Sequence, residues 1–112
     1  MSEAIVAVHF KDMAVQEDVR EEVARRCQDL VDEFPELTHV DVTLSPDGSG
    51  HHASARASGR RTELASHAQA LAPGHAADRV LDQLRHQLRR GHDKRVFSQR
   101  RRSKKRTPSP SR

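Results

Sequence analysis

Aromatic residues are scarce in this chain, with three Phe, no Trp and no Tyr among 112 residues. The core must therefore be assembled from Val, Leu, Ile and Ala, and with only 34% of residues hydrophobic it will be thin. The single cysteine, Cys27, excludes an intramolecular disulfide. No apolar run approaches the ~18 residues that a membrane span requires. Met1 to Phe10 has neither the basic start nor the long apolar stretch of a secretory signal. These absences point to a reducing cytoplasm and away from a membrane partner. A chain of this length accommodates one small domain and a tail.

Reactive motifs are missing too. There is no glycine-rich phosphate loop, no nucleophile elbow and no recognisable pair of catalytic carboxylates, and the spacing of Ser66, His67 and Asp93 does not suit a triad. No catalytic residue, cofactor or small-molecule substrate is expected, and the chain is read as a non-enzyme. Eight histidines raise the question of a metal. However, His51 and His52 are adjacent, the others are scattered, and Cys27 has no Cys-x-x-Cys partner, so no metal site is expected.

Charge is abundant, and it is divided along the chain. Met1 to Gly50 holds 4 Lys/Arg against 12 Asp/Glu, whereas His51 to Arg112 holds 16 against 4. A basic half of this strength suits a polyanion, nucleic acid above all, and the acidic half opposes indiscriminate sticking.

Periodicity supplies the elements. Glu3 to Phe10 is short, apolar and β-branched, which predicts a strand. Val15, Val19, Val23, Cys27, Leu30 and Phe34 recur every three or four residues, so the spacing predicts a helix over 14–33. Acidic residues crowd its first turns, and Pro35 bars Phe34 from helical conformation. Val40, Val42 and Leu44 alternate with polar neighbours as in a half-exposed strand over 38–44, and Ser45 to Gly50 carries turn chemistry. Ala53, Ala55 and Ala57 alternate with Ser54, Arg56 and Ser58, although alanine is a poor strand former. Gly59-Arg60-Arg61 is read as a turn between two short strands, the second over 62–68. Ala77, Val80, Leu81, Leu84 and Leu88 form the apolar stripe of a last helix over 75–90. Lys94 to Arg112 holds nine basic residues and no acidic one, with almost nothing apolar to offset the entropy of ordering.

The predicted order is β-α-β-β-β-α. Burying both helical stripes on one face of a four-stranded sheet gives an α+β two-layer sandwich. The expected division is a domain over 1–95 and a disordered basic tail over 96–112.

The stretch Val80-Leu-Asp-Gln-Leu-Arg-His-Gln-Leu-Arg-Arg-Gly-His-Asp-Lys94 resembles the closing helix of the ribosome hibernation factors, the family of hibernation-promoting factor and ribosome-associated inhibitor A, also described as sigma-54 modulation proteins. Val19 to Leu30 with Phe34 is similar to that family's first helix, and Val40 to Leu44 to its second strand. The resemblance covers roughly Ile5 to Arg95 and rests on the order and spacing of all the pieces. It implies a domain like double-stranded-RNA-binding folds that occupies the messenger and transfer RNA channel of the small ribosomal subunit, against 16S rRNA, and stops translation by exclusion. It further implies RNA-facing positions at Arg20, Arg26, Arg79, Arg85, Arg89, Arg90 and Lys94. Asp29 and Gln83 stand where relatives have lysine, and Pro73-Gly-His75 replaces an acidic-aromatic turn.

The residues themselves fit this chemistry. Arg85 and Arg89 lie one helical turn apart, Arg79 and Arg90 fall on the neighbouring strip, and Lys94 and Arg95 extend the row. Folded RNA offers phosphates, 2′-hydroxyls and shape, to which planar guanidinium forks are suited. Arg100, Arg101, Arg102, Lys104, Lys105 and Arg106 add an electrostatic anchor. The chain is expected to act as a monomer. Two other readings stay open: a general RNA-binding protein acting through its tail, and a protein-interaction regulator using the acidic first helix, with Asp29, Asp32, Glu33 and Glu36 as the contact edge. The competing explanation for the arginine row is a solvated helix face, which an Asp82–Arg85 pair would support.

Overall fold

The computed structural model describes the backbone of residues 4–104 and the side chains of residues 4–91. Six elements follow one another: β1 (Ile5–Phe10), α1 (Glu17–Glu33), β2 (Leu37–Asp47), β3 (Gly50–Gly59), β4 (Thr62–Ala70) and α2 (Pro73–Lys104). The sheet has the order β1-β2-β3-β4, with β1 parallel to β2 and the other pairs antiparallel. This is the expected α+β order, in a mixed sheet.

Alternation along each strand divides the sheet into two faces. Val40, Val42 and Leu44 pair with Ala57, Ala55 and Ala53, and these in turn pair with Leu64, Ser66 and Ala68. This face is buried beneath Val23, Cys27 and Leu30 of α1 and Ala76, Ala77, Val80, Leu84 and Leu88 of α2. The opposite face carries His9, Asp41, Thr43, Ser54, Arg56 and His67 around a shallow trough of about 410 Å³. His52 and His67 stack there with ring centroids 5.2 Å apart.

The boundaries differ from the sequence reading for local reasons. α1 begins at Glu17 rather than near Ala14, because Gln16 keeps an extended backbone while its carbonyl accepts from the Arg20 N–H. Val15 therefore precedes the helix and is exposed, off the apolar stripe. Pro35 ends α1 as expected, with Phe34 donating its N–H to the Leu30 carbonyl. β2 extends to Asp47 and leaves only Gly48 and Ser49 to make the turn, Gly48 taking φ +62°. Arg60 and Arg61 link β3 to β4, with Arg61 at φ 62°.

α2 is longer than expected at both ends. Pro73 starts it, which suits a residue lacking an N–H at the first helical position, and Ala76 makes the first backward bond, to the Ala72 carbonyl. Its backbone is helical to Lys104. Residues 105–112, including Lys105 and Arg106, lie outside the described residues. No described helix is long and apolar enough to cross a membrane.

Candidate nucleic-acid interface

α1 and α2 lie side by side in the same direction. The cross-helix pairs advance along both helices together, Arg26 with Asp78 and then Glu33 with Arg85 and Arg89. Because 3.6 residues make a turn, Asp78, Asp82, Arg85 and Arg89 share one strip of α2, which meets α1. Arg79, His86 and Arg90 occupy a strip about a quarter-turn round. Val80, Leu84 and Leu88 face the sheet and fix the rotation of the helix, so burial in the core decides where every arginine points.

Along the seam the arginines are already engaged. Arg26 Nε is 2.9 Å from Asp78 Oδ1, and its Nη2 is 3.2 Å from Glu22 Oε2. Arg85 Nε lies 3.0 Å from Glu33 Oε1, closer than the 3.9 Å between its Nη1 and Asp82. Arg89 donates from Nη2 at 2.6 Å and from Nε at 3.1 Å to Glu33 Oε2. These bonds, together with the charges of Arg89 and Arg85, hold the Glu33 carboxyl below its ordinary value of 4.5, with partial desolvation acting the other way. Between the helices a groove of about 160 Å³ has Leu30 and Leu81 beneath it and Asp29, Asp78 and Asp82 along its rim.

The structure thus brings together three of the predicted residues, Arg26, Arg85 and Arg89. Arg20 stands apart, 13 residues or about 20 Å before Glu33 at a rise of 1.5 Å per residue, and pairs with Glu17 at 2.9 Å. Arg79 bonds to the Gln69 carbonyl at 3.1 Å, on the β4 flank rather than in the seam. Arg90 is exposed and has no ion pair among the described side chains. The side chains of Lys94, Arg95, Arg100, Arg101, Arg102 and Lys104 lie outside the described residues. Gln83, where the family resemblance calls for lysine, accepts a hydrogen bond from Ser66, a buried hydroxyl of β4.

Sequence reasoning missed the role of Glu33. The expected local partner of Arg85 was Asp82, three residues away, whereas Arg89 and Glu33 are 56 residues apart and meet only through the fold. At the end of α1, Glu33 is engaged by Arg85 and Arg89 of α2, and the exposed Asp32 accepts from Gln28. Among the described residues no group of three or more His, Cys, Asp or Glu could hold a metal ion.

Two helices over one face of a mixed sheet, in this element order, form the fold of the ribosomal subunit interface proteins. The chain belongs to the family described as sigma 54 modulation protein / S30EA ribosomal protein, whose profile matches residues 6–96, and it is thereby a member of a ribosome-associated family. The crystal structure of the Thermus thermophilus Protein Y N-terminal domain is similar, with a TM-score of 0.68 and 20% identity over 79% of this chain and 98% of that one. A ribosomal subunit interface protein from Coxiella burnetii is similar with a TM-score of 0.72 and 10% identity over 79% of this chain and 97% of that one. No curated protein sequence matches the chain.

Proposed function

We propose that the domain over residues 1–95 binds the small ribosomal subunit in the channel used by messenger and transfer RNA, contacts 16S rRNA, and inhibits translation by occupying that space. Family membership supplies the ribosome, and with it a cytoplasmic setting. The observation that carries the finer reading is the fixed row on α2. Arg85 and Arg89 on one strip and Arg79 and Arg90 on the next are presented by a helix whose rotation the core has locked. Arg26 joins from α1, and Arg20, Lys94 and Arg95 extend the contact. The protein acts as a monomeric steric plug, without catalysis, in the manner of a ribosome hibernation or stress factor.

Co-sedimentation with purified small subunits at physiological salt tests this. The full chain, a chain ending at Lys94, and the full chain carrying Arg85→Glu, Arg89→Glu and Arg90→Glu are compared. Saturable binding that survives truncation, falls at least tenfold with the helix reversals and is competed by initiator transfer RNA supports the reading. Binding that follows only the tail overturns it.

A second reading has an observation in its favour. The seam holds Arg26, Arg85 and Arg89 against Glu22, Asp29, Glu33, Asp78 and Asp82, so it is acidic in sum, and affinity for RNA could then come from residues 96–112 alone. A general polyanion binder of that kind loses binding on truncation, with a salt dependence of ~0.7 per phosphate neutralised on single strands.

A further inference from the structure

At the seam, a carboxylate of the protein itself lies between two guanidinium groups. Glu33 Oε1 faces Arg85 Nε at 3.0 Å, and Glu33 Oε2 takes two donors of Arg89 at 2.6 and 3.1 Å. One carboxylate is thus shared between two guanidinium groups a helical turn apart. A phosphodiester group presents two non-bridging oxygens in a comparable fork, and arginine binds both kinds of anion through the same donors.

Two features show that the carboxylate is an imperfect tenant. First, the Arg85 Nε–H is buried and lacks a properly directed hydrogen bond despite its closeness to Glu33, making it the orphaned buried side-chain donor among the described residues. The carboxylate leaves this donor in an ion pair but poorly directed, and an anion whose oxygens lie out of the carboxylate plane offers it a better-aligned acceptor. Second, Glu33 is the last residue of α1, whose final turn has no basic residue. A negative charge at a helix C-terminus is repelled by the unpaired carbonyls there, so α1 alone gives no reason for this residue. Its side chain is about one-third exposed (31%), which leaves a path to swing into water without disturbing the core.

We propose that Arg85 and Arg89 form the seat of a single RNA backbone phosphate, and that Glu33 fills it in the free protein and must be displaced for RNA to enter. Glu33 is then a specificity-determining residue. This rests on the reading that the helix layer contacts RNA, and it adds the rule of admission. An isolated phosphate gains little by exchanging with a tethered carboxylate that already satisfies most of the same donors. A folded RNA surface that meets Arg79 and Arg90 while it enters the seat gains contacts that the carboxylate does not compete for. Loose single strands are disfavoured, and a matching surface is retained.

The test uses the full chain and two partners, polyuridylate as an unstructured polyanion and purified small subunits. Glu33→Gln removes the charge at nearly constant shape. It is expected to bind polyuridylate at least fivefold more tightly than wild type, and to steepen the dependence of log K on log salt by ~0.7, the value for one further phosphate neutralised on a single strand. Adding Arg85→Gln and Arg89→Gln to Glu33→Gln should erase both changes. Unchanged or weaker binding by Glu33→Gln, with an unchanged slope, overturns the proposal. Because a purely structural role could also alter affinity through stability, a second measurement follows the Arg85 and Arg89 Nε–H signals of the wild-type chain by NMR as polyuridylate is added. Both signals should move together, and signals that stay in place overturn the proposal. The polyuridylate arms do not depend on ribosome binding, so failure of the small-subunit reading and failure of the seat are read separately.

Discussion

Cys27 shows how far burial alone can set the chemistry of a residue. It has no exposed surface, and desolvation, followed by the negative charge of Asp41, pushes its thiol up to about 12. The thiolate is the reactive form, so at neutral pH almost none is present. A thiol reagent at about pH 8 should therefore label the native protein only as fast as the fold opens, and label it completely within the mixing time in denaturant. Rapid labelling without denaturant would mean that the helices do not seal the sheet. Glu33 gives the converse case. Its folded value lies below the ordinary 4.5, so the stabilisation from its ionised form is present above that value and is lost as the pH falls through the lowered one. Wild type should melt above Glu33→Gln at neutral pH, and the gap should close only on the acid side of the ordinary glutamate range. A gap that widened with acid would reverse the sign and remove the ion pairs as its source. The burial of Cys27 could be read from its place on a periodic stripe. The clamp on Glu33 could not, because nothing local joins it to Arg85 or Arg89.

Among the elements, β3 and β4 have the weakest strand signal in their own residues, and the reason they form lies in their partner. Ala53, Ala55 and Ala57 have little strand preference of their own. They are strand residues here because α2 packs over them, and small side chains permit that approach. Propensity is a local quantity and the deciding contact is not, so the alternation was legible while its cause was hidden. α1 was legible nearly throughout because five of its expected stripe residues, Val19, Val23, Cys27, Leu30 and Phe34, pack in the core, and only Val15 fell outside. Two glycines separate close packing from simple chain preference. A Cβ on Gly59 would lie 2.2 Å from the Glu36 carbonyl oxygen, a backbone atom that cannot swing aside. Gly59→Ala should destabilise the fold by about 1–3 kcal/mol, in line with overpacking elsewhere. A Cβ on Gly91, within α2, meets nothing within 4 Å, and Gly91→Ala should stabilise by about 0.5–1 kcal/mol through helix preference and a smaller unfolded ensemble. Urea titrations of both variants check the pair, and the same sign for both would refute the packing argument.

Over the whole molecule, the charge division seen in the sequence becomes a division between neighbours rather than between ends. α1 carries three Arg against seven Asp/Glu, and it lies directly beside the arginine strip of α2. The acidic half of the chain thus partners the arginines of this strip across the seam. Which arginines carry α1 partners could not be read from one dimension, whereas the basic excess beyond Lys94 could. Under the proposed function the two parts would have separable tasks: residues 95–112, with eight Lys/Arg, would attract every polyanion alike, and the helix layer would discriminate. Removing residues 95–112 should flatten the salt dependence of binding to small subunits and to polyuridylate together, because fewer counterions are released from either. Affinity for polyuridylate should fall further than affinity for small subunits, so their ratio should rise in the shortened chain when both are measured at the same salt. A ratio that falls would place the address in the tail and leave the helix layer as its support. A rising ratio would locate discrimination in the helix layer, as expected if one phosphate must displace Glu33 to enter the proposed seat.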